Sequence, residues 1–485
     1  MKIINLINPE YILSSDVDLA ADIEKIEHDP QLCDGNSLLV IPNSKKCPKS
    51  VKAKPYAAVC DGLAVLPPEI PTIRVENVRY VISKIYAAFY GVRSPKFKLI
   101  GITGTNGKTS TATFIKHALT SSGMKVGFIG TGIISIAENI LNDRFYSMTT
   151  PDPWVLYPTL KRMEEEGCEA VVMEVSSHAL ELEKVAPLRF DIGIFTNLSL
   201  EHLDFHGDVE SYYRAKKKLF SQSDKAIVNI DDYYGRRIVK ETDGAKLTAG
   251  ILWRGDAYVS NIQNNGFDGI EYVYHGRTFS FTMKLTAAGI YNIYNSMLAI
   301  SACTELGLKP CEVKRSLSAI SAVKGRYEII KDVITVIIDY AHTDTAMQSM
   351  LKNLTETKTP GQKVTVIFGC GGERDRDKRA RMAAVAETYA YKTVVTTDNP
   401  RGEDPSSIIE DIIKGFSTDN YTVIPDREQA IKSTIATAVK NDIIAVIGKG
   451  SEKYCIDKNG YHDFDEAAII REALKLRREE LQTCE

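Results

Sequence analysis

The sequence lacks the features that would assign a protein to a membrane, to secretion or to nucleic acid. It has no run of about 18 apolar residues, the length that crosses a bilayer, so we expect no membrane-spanning helix. Residues 1–20 carry one lysine, early acids and a broken apolar stretch, which predicts no secretory signal. The net charge is only −3, which gives no electrostatic reason to expect nucleic acid or an anionic membrane as a partner.

The nine cysteines form no disulfide or zinc framework. They are scattered and odd in number, and none belongs to a C-x-x-C pair, so we expect reduced thiols in a cytoplasmic protein. The sequence contains no H-E-x-x-H pattern, and no G-x-G-x-x-G follows a predicted strand, which argues against a zinc site and against a dinucleotide enzyme. With 44% hydrophobic and 25% charged residues, the chain has the composition of a globular protein.

The length of 485 residues predicts roughly three domains, for which we place the boundaries at 1–94, 95–325 and 326–485. The first ends in a helical pattern (78–91) and the linker "VRSPK" (92–96). The other two alternate apolar strands with helices, which predicts an α/β protein with parallel sheets whose polar strand ends hold ligands. A last amphipathic helix is predicted at 464–482. The predicted strands are 98–103, 125–130, 170–177, 191–199, 333–342, 363–372, 392–400 and 443–450.

A glycine loop, "GTNGKT" at 104–109, lies between a predicted strand and a predicted helix. It fails the strict G-x-x-x-x-G-K-[ST] spacing, since the position that needs the first glycine is Ile102. Gly104 and Gly107 would still let the backbone approach a phosphate, while Lys108 and Thr109 could meet phosphate and Mg²⁺. We therefore predict a nucleotide site here.

Acids and histidines follow the strands around this loop. "MEVSSH" contains Glu174 and His178, and "TNLSLEHLDFHG" contains His202 and His206. Carboxylate and imidazole beside a phosphate loop suit Mg²⁺ that bridges phosphates. For His178 and His206 a purely structural role is an equal alternative.

Two basic stretches add further candidates. "YYRAKKKLF" (212–220) contains Lys216, which the pattern alone does not separate from a solvated helix face. In "TTDNPRGEDP" (396–405) a rigid Asp-Asn-Pro turn precedes Arg401, which could clasp a carboxylate or belong to an ordinary surface turn.

Taken together, the motifs closely resemble those of the Mur ligases, which use ATP to add amino acids to the UDP-MurNAc peptide precursor of the cell wall. Within that family the chain is most similar to the MurE type, which extends UDP-MurNAc-L-Ala-D-Glu. The stretches that carry the resemblance are "GTNGKT", "TTPD" (149–152), "EVSSHAL" (174–180), "TNLSLEHLDFHG", "AK" (215–216), "YNIYN" (291–295), "GRYE" (325–328), "DYAHT" (339–343), "FGCGGERD" (368–375), "DNPR" (398–401) and "GKG" (448–450).

The resemblance implies an N-terminal UDP-sugar domain, a central ATPase domain and a Rossmann-like C-terminal domain that binds the amino acid. It also implies that ATP phosphorylates a substrate carboxylate and that an amine displaces the phosphate. That reaction needs charge neutralisation and positioning more than a side-chain nucleophile. In this family "DNPR" marks selection of meso-diaminopimelate over L-lysine, because the arginine pairs with the distal carboxylate. We expect a monomer that acts on small molecules.

The resemblance further implies a role for each matched residue. ATP would contact Gly104, Thr105, Asn106, Gly107, Lys108, Thr109, Asn292, Asn295, Arg326 and Asp339. Mg²⁺ would be held by Thr109, Glu174, His202 and Lys216, the last carbamylated, and Lys108, Glu174, His202 and Lys216 would be catalytic. The UDP-sugar peptide would contact Thr149, Thr150, Ser176 and Lys184. The amino acid would contact Arg374, Asp398, Asn399, Pro400, Arg401, Gly448 and Glu452.

Several positions depart from the family pattern, and most lie on the UDP-sugar side. The usual D-S-R is Asp29, Pro30 and Gln31, while a glutamine and an arginine are replaced by Leu182 and Lys184. Asp344 follows "DYAHT" in place of proline, and Ser451 replaces the histidine of G-K-G-H-E. The ATP and amino-acid motifs are intact, so the acceptor acid is the less certain substrate.

Five alternatives remain open at this stage. The chain could be a divergent MurE-type enzyme, a paralogue that joins a different acid to an amine, or an enzyme that adds L-lysine. A folate polyglutamate synthetase of the same superfamily would leave "DNPR" unexplained. A non-catalytic nucleotide-binding scaffold would leave the intact Lys108, Glu174, His202 and Lys216 unexplained.

Overall fold

The structure, a computed structural model, describes residues 1–43, 47–93, 95–142, 146–320 and 323–483. Three separate sheets and one small hairpin organise these residues. The predicted linker 92–96 includes Ser94, which lies outside the described residues.

The N-terminal block is a five-stranded sheet covered by one helix. The sheet order is β1-β5-β4-β3-β2, parallel except that β1 pairs antiparallel with β5. The helix begins after Asn77, whose side chain accepts a hydrogen bond from the Tyr80 N–H and so caps it. The elements are β1 Ile12–Ser15, β2 Lys25–Glu27, β3 Ser37–Val40, β4 Ala57–Cys60, β5 Thr72–Val75 and α1 Val78–Phe89.

The central block is an eleven-stranded sheet in the order β16-β15-β14-β13-β12-β11-β6-β10-β7-β8-β9. Its strands are β6 Lys98–Thr103, β7 Val126–Gly130, β8 Ile133–Ile136, β9 Asn139–Ile140, β10 Ala170–Glu174, β11 Phe190–Phe195, β12 Ser223–Asn229, β13 Ala245–Gly250, β14 Ala257–Asn264, β15 Ile270–His275 and β16 Ser280–Leu285. Its helices are α2 Lys108–Ser121, α3 Pro153–Glu165, α4 Ser177–Glu181, α5 Leu203–His206, α6 Val209–Ser221, α7 Tyr233–Glu241, α8 Ile290–Glu305 and α9 Pro310–Ala319.

The central sheet is parallel only in its middle. From β7 across to β14 every neighbouring pair is parallel, as the strand-helix alternation predicts. The edges are antiparallel: β8 and β9 extend one side, and β15 and β16 the other. The sequence prediction missed these edges, although β15 alternates buried and half-buried residues in the two-residue period of a sheet with one covered face.

The C-terminal block is a six-stranded sheet in the order β17-β18-β22-β19-β20-β21, parallel except for the β17-β18 pair, with a hairpin beside it. The strands are β17 Glu328–Lys331, β18 Thr335–Asp339, β19 Val364–Phe368, β20 Lys392–Val395, β21 Tyr421–Val423, β22 Ile443–Ile447, β23 Tyr454–Asp457 and β24 Gly460–Asp463. The helices are α10 Asp344–Thr357, α11 Asp377–Tyr389, α12 Pro405–Ile413, α13 Arg427–Thr437 and α14 Glu466–Thr483.

The hydrophobic core shows how the blocks are joined. One buried cluster runs from the N-terminal sheet through α1 and α3 to one face of the central sheet, and includes Ile82, Ile85, Leu156 and Tyr157. Because a single apolar core spans both blocks, the N-terminal block is fixed to the central one by burial. Separate clusters cover the other central face and the two faces of the C-terminal sheet.

No helix among the described residues is long and apolar enough to cross a membrane. The eight cysteines in the described part of the chain are free thiols, and Cys484 lies outside it.

Candidate functional site

The glycine loop connects β6 to α2 at the carboxyl end of the parallel strands. Gly104 has φ +152° and Gly107 has φ +83°, conformations that L side chains rarely adopt. A Cβ atom on Gly104 would lie 1.8 Å from Thr196 Oγ1, so the tight packing requires glycine. Asn106 is held by Asn197, whose Oδ1 accepts from the Asn106 N–H at 2.9 Å and whose Nδ2 donates to the Asn106 carbonyl at 3.1 Å.

Two lysines converge on this loop. Lys108 Nζ donates to the carbonyls of Gly104 at 2.9 Å and Thr105 at 2.8 Å, and Lys216 Nζ donates to the same Gly104 carbonyl at 2.8 Å. Lys216 is 1% exposed and lies 4.4 Å from the centroid of the Tyr212 ring. Burial lowers the pKa of Lys108, and burial together with the nearby Lys108 charge places the pKa of Lys216 well below its ordinary value. Lys216 is therefore separated from its neighbours 217 and 218, which are not buried on this loop.

Glu174 lies fully buried at the end of β10 and receives three hydrogen bonds. Thr109 Oγ1 donates to it at 3.0 Å, and Thr131 donates from its N–H at 3.0 Å and from its hydroxyl at 3.2 Å. Arg326, from the third block, donates to Thr109 Oγ1 at 3.2 Å. The structure thus brings Arg326 onto the loop, which joins the central and C-terminal blocks at this point.

His202 and Glu201 lie on the opposite side of the loop. His202 adopts a left-handed backbone, and its ring is 4.9 Å from the His178 ring in an edge-to-face arrangement. Burial lowers the pKa of both imidazoles to about 4, so both are neutral at neutral pH and have a lone pair that could bind a metal. Glu201 Oε1 is 3.8 Å from His202 Nε2 and 3.6 Å from His342 Nε2.

Glu201 and His342 are residues to which the sequence analysis gave no role. Burial raises the pKa of Glu201, but the charges of His342, His202 and Lys108 outweigh it and hold that pKa below the ordinary range. Because His342 belongs to the third block, this pair is a second contact at the seam between the central and C-terminal blocks. For His206 a structural role fits better than a metal-binding one, because its Nε2 forms a hydrogen bond with Ser177 Oγ at 3.0 Å.

The donors around the loop fit Mg²⁺ rather than a metal held by protein alone. Within the described ranges no group of three or more His, Cys, Asp or Glu side chains could enclose a metal ion. Mg²⁺ is usually bound by one or two carboxylates together with substrate phosphates. Glu174 and the neighbouring Thr109 hydroxyl offer the oxygen donors that Mg²⁺ prefers. Lys108, on the same loop, could bind the phosphate.

Asn292 and Asn295 lie on α8, directly behind the loop. Asn295 Oδ1 accepts from Thr111 Oγ1 at 3.3 Å, and a Cβ on Gly107 would come 2.4 Å from the same oxygen. Asn295 Nδ2 donates to Asn292 Oδ1 at 3.2 Å. The two amides are thus packed against the turn that precedes α2.

Asp339 ends β18 and faces the same seam. Its carboxylate accepts from the N–H groups of Tyr327 at 2.7 Å and Ala341 at 2.8 Å, while burial raises its pKa. Arg326 stacks over the neighbouring Tyr340 ring, 4.0 Å from its centroid. The predicted ATP residues of the third block therefore meet those of the central block.

The predicted sugar-peptide residues surround the end of β10, except for one. Thr150 Oγ1 donates to the Glu174 carbonyl at 2.9 Å, and the Thr149 and Thr131 hydroxyls are 3.0 Å apart. Ser176 Oγ accepts from the Ala179 N–H at 3.1 Å and caps α4.

Lys184 lies apart from these residues. Its Nζ is 2.7 Å from Asp152 Oδ1, at the wall of a cavity of about 450 Å³ between the N-terminal and central blocks. Two other departures from the family pattern, Pro30 and Leu182, line the same cavity.

The Asp-Asn-Pro-Arg turn lies beyond the carboxyl end of β20. Arg401 has φ +54°, and its Nη1 donates to the carbonyls of Gly372 at 2.9 Å and Asn399 at 3.2 Å. Within the described residues its guanidinium forms no ion pair with a carboxylate. Arg374 is close by, and burial together with the Arg401 charge lowers its pKa. Two guanidinium groups, those of Arg374 and Arg401, thus lie close together at this turn.

A buried lysine, which the sequence analysis passed over inside "GKG", fixes this turn. Lys449 is 1% exposed and donates to Asn399 Oδ1 at 2.8 Å. Asn399 Nδ2 in turn donates to Glu452 Oε2 at 2.9 Å. Burial raises the pKa of Asp398, but Lys449 and Arg427 outweigh it and hold that pKa below its ordinary value.

The glycine and proline predicted here are also placed at the turn. A Cβ on Gly448 would lie 2.6 Å from Asp398 Oδ2, which requires glycine there. Pro400 lies against Gly372, where a Cβ would come 2.0 Å from the Pro400 carbonyl oxygen. The residues predicted to bind the substrate amino acid therefore form one cluster around β20 and β22.

Comparison with known proteins identifies the family. A model described as "Mur ligase middle domain" matches residues 102–303, and one described as "Mur ligase, glutamate ligase domain" matches residues 325–450. A UDP-N-acetylmuramoyl-L-alanyl-D-glutamate--2,6-diaminopimelate ligase of Clostridium acetobutylicum is 39% identical over 88% of each chain. The chain belongs to the Mur ligase family.

Other relatives of this Mur ligase carry the same name. That of Clostridioides difficile is 36% identical over 98% of this chain and 99% of the relative, and that of Aquifex aeolicus is 40% identical over 84% and 83%. The resemblance stated from the motifs is thereby confirmed, as is the expectation of an ATP-dependent acid–amino-acid ligase, which is the chemistry of this family.

Solved structures confirm the α/β fold of this Mur ligase. A structure of a UDP-N-acetylmuramoyl-L-alanyl-D-glutamate--2,6-diaminopimelate ligase covers 99% of both chains with a TM-score of 0.68 at 24% identity. A folylpolyglutamate synthase of Mycobacterium tuberculosis, complexed with ADP and AMPPCP, covers 76% of this chain and 92% of its own, with a TM-score of 0.64 at 17% identity.

Proposed function

We propose that this Mur ligase adds meso-diaminopimelate to the D-Glu of UDP-MurNAc-L-Ala-D-Glu, in peptidoglycan precursor synthesis. The observation that carries the choice of amino acid is Arg401, whose guanidinium is anchored on main-chain carbonyls and has no acid partner among the described residues. Diaminopimelate has a distal carboxylate that such a group can pair with, whereas lysine has none. The names of the relatives support the same pair of substrates.

The reaction follows from the groups around the loop. The γ-phosphoryl group of ATP passes to the D-Glu side-chain carboxylate, which gives ADP and an acyl phosphate. The amine then attacks the acyl carbon, the amide forms and inorganic phosphate leaves. The Lys108 charge and the loop N–H groups would neutralise and orient the phosphates. Thr149, Thr150 and Ser176, at the end of β10, would position the acceptor acid.

Thr109, Glu174, His202 and a carbamylated Lys216 would hold Mg²⁺, which would neutralise charge on the phosphates when bound. The carbamate would form when the Lys216 ammonium loses a proton, the neutral amine adds CO₂ and the adduct loses a second proton, which turns a cation into an anion. Lys216→Ala should lose most activity and recover part of it with added short carboxylic acids. Full activity of Lys216→Ala without any addition would refute the ligand role.

The remaining assignments extend the same proposal. Asn292, Asn295, Arg326 and Asp339 would contact ATP at the seam. Arg374, Asp398, Asn399, Arg401 and Glu452 would receive the amino acid. Domains 1–94, 95–325 and 326–485 would serve the UDP-sugar, ATP and the amino acid in turn.

The test is phosphate release with ATP, Mg²⁺ and UDP-MurNAc-L-Ala-D-Glu, with meso-diaminopimelate compared with L-lysine. Diaminopimelate should support turnover, and Arg401→Ala should raise its KM by about tenfold or more, the worth of a charged hydrogen bond. Arg478→Ala, half-exposed on α14, is the matched control and should change neither KM nor kcat. Preference for lysine would refute the role of Arg401 alone.

The alternative of a different acid is not favoured by the names of the relatives, and its one motive is the lining of the cavity beside Lys184. The cavity that contains Lys184 is lined by Pro30 and Leu182, where the family pattern has polar groups. Turnover with neither amino acid on UDP-MurNAc-L-Ala-D-Glu, together with ATP-dependent phosphate release on another acid, would select this candidate.

A further inference from the structure

One arginine beside the amino-acid turn is completely buried. The stretch 374–381 contains four arginines, and those at 374, 376 and 381 are exposed. Arg379, in the first turn of α11, is 0% exposed and is not among the residues proposed to contact the amino acid. A buried charge is strongly unfavourable unless it is paired and hydrogen-bonded. The partners of Arg379 therefore show what it holds in place.

Glu403 is the main partner of Arg379. Arg379 Nη1 donates to Glu403 Oε1 and Arg379 Nη2 to Glu403 Oε2, both at 2.8 Å, in the parallel two-bond geometry of the strongest arginine–carboxylate pairs. Nη1 also donates to Asp411 Oδ2 at 3.0 Å. The hydrogen bonds from Arg379 lower the pKa of Glu403 to about 2, so its carboxylate is charged at neutral pH. Glu403 is thus tied to α11 as an anion.

Glu403 connects the two chain segments that carry Arg374 and Arg401. It lies two positions after Arg401, and its N–H donates to the Pro400 carbonyl at 3.1 Å, which closes the turn. Its Oε2 also accepts from the Glu373 N–H at 3.0 Å, directly beside Arg374. One anchored carboxylate therefore bonds to the backbone next to one arginine and belongs to the turn of the other.

The two segments are in direct backbone contact. A Cβ on Gly372 would lie 2.0 Å from the Pro400 carbonyl oxygen. A Cβ on Gly371 would lie 2.9 Å from Arg401 Nη1 and 3.9 Å from Arg374 Cγ, so the two arginines approach each other at this glycine. A small shift of either segment would change the distance between the two guanidinium groups.

The charges at this place explain why an anchor is needed. Burial and the Arg401 charge lower the pKa of Arg374, which is the effect of two like charges held close together. Among the described residues no ion pair joins Glu403 to either of these arginines, because its carboxylate pairs with Arg379 and Arg376. Glu403 can therefore hold both segments against the repulsion and leave both guanidinium groups available to a substrate.

We propose that Glu403, anchored by Arg379, is a positioning residue that sets the distance between the Arg374 and Arg401 guanidinium groups, and with it the affinity for an amino acid that has a distal carboxylate. This rests on the proposed function, which assigns both arginines to the amino acid, and it names a residue that acts through them. Groups that bind a substrate must be held within about 0.5 Å of their productive place by the residues around them.

Glu403→Gln is the direct test, because it keeps the size of the side chain but removes its charge. In phosphate release with ATP, Mg²⁺ and UDP-MurNAc-L-Ala-D-Glu, the KM for meso-diaminopimelate should rise about tenfold, as for the loss of one charged hydrogen bond. The KM for ATP and the kcat at saturating diaminopimelate should not change. Glu403→Asp keeps the charge and should recover part of the affinity.

Asp411→Asn is the matched control. It also removes an acidic partner of Arg379, but Asp411 lies on α12, and the bonds of its side chain among the described residues go to Arg379 and Lys414. A purely structural role of the buried arginine predicts the same kinetics for Asp411→Asn and Glu403→Gln. The proposal predicts that Asp411→Asn keeps the KM for diaminopimelate. Thermal melts of all variants identify the temperature below which each is folded for the assays.

Three results would overturn the inference. The first is an unchanged KM for diaminopimelate in Glu403→Gln, and the second is an equal rise in Asp411→Asn. The third is a rise in the KM for ATP as large as that for diaminopimelate, which would indicate a general disturbance of the C-terminal block. Failure of the wild type to use diaminopimelate would overturn the proposed function and this inference with it, whereas normal wild-type turnover with any of the three results would overturn this inference alone.

Discussion

The two seams of the molecule differ in what holds them together. Between the central and C-terminal blocks the contacts are polar: Arg326 reaches Thr109, and His342 approaches Glu201. Between the N-terminal and central blocks one continuous apolar core spans both sheets, and a cavity of about 450 Å³ lies between them. The proposed function divides along the same line, in which the polar seam would perform the chemistry and the apolar seam would hold the substrate. Substitutions at the polar seam should therefore change kcat, and those at the apolar seam should change affinity.

The largest effect is expected for Lys108→Met. Removal of this charge from the loop should lower kcat by about 10² to 10³, as for the loss of one group that stabilises developing charge. The measurement is steady-state phosphate release, with a thermal melt to show that the variant is folded. Lys116→Met, on the same helix, should leave kcat unchanged. A change confined to the KM values would contradict the division between the seams.

The next effect concerns the buried charge behind the amino-acid turn. Lys449 Nζ lies 3.8 Å from Asp398 and 3.7 Å from Glu452, so Lys449→Met would leave carboxylates without their partner. We expect the free energy of unfolding of the C-terminal block to fall by about 3 to 5 kcal/mol in urea denaturation. Lys453→Met, at an exposed pair, should cost about 1 kcal/mol or less. Equal losses for the two variants would show that Lys449 is not structurally coupled to the turn.

A smaller effect is expected from the Glu201–His342 pair. A double-mutant cycle with Glu201→Gln and His342→Asn should give a coupling energy of about 0.5 to 3 kcal/mol in kcat/KM, because the two residues join different blocks over the loop. Additive effects within error would mean that the pair does not contribute to closure of the seam.

The smallest effect is expected for Asp344→Ala. Asp344 opens α10, where an acid interacts favourably with the helix N-terminus, and its Oδ2 accepts from Arg381 Nε at 3.0 Å. Its loss should lower stability by about 0.5 to 1 kcal/mol and leave kcat unchanged, as measured by thermal unfolding and phosphate release. A large fall in kcat would show that this departure from the family pattern lies in the catalytic machinery. Nothing in the structure explains Ser451.

The polar seam was predictable from sequence because its residues follow strands in contiguous motifs. Glu174 ends β10 and Asp339 ends β18, so the parallel topology alone places them at one edge of their sheets. The order of the motifs then suggested the roles that we propose for these residues. Lys449 was missed, although it lies inside a matched motif, because its contacts with Asn399 depend on a side-chain network that no spacing rule describes.

The apolar seam was not predictable, since its walls come from segments far apart in the chain. His28 and Trp154 are separated by more than a hundred positions and meet only when the N-terminal sheet packs on the central one. The sequence analysis recognised Pro30, Leu182 and Lys184 as departures but could not tell that they share one cavity. The hairpins at the edges of the central sheet were missed for a different reason. The strand-helix alternation predicts only parallel strands, whereas β15 has the two-residue period of an antiparallel strand.

Arg401 has a consequence for how the enzyme could evolve. Its left-handed backbone, at φ +54°, costs a non-glycine residue about 1 to 2 kcal/mol, and the turn is also held by main-chain bonds, including Arg401 N–H to the Ile456 carbonyl at 3.0 Å. Glycine at this position would relieve the strain and keep the turn, yet it would remove the guanidinium that we propose pairs with the substrate carboxylate. At this position stability favours glycine, whereas a preference for diaminopimelate favours arginine. Selection for diaminopimelate would therefore keep an arginine where the backbone favours glycine.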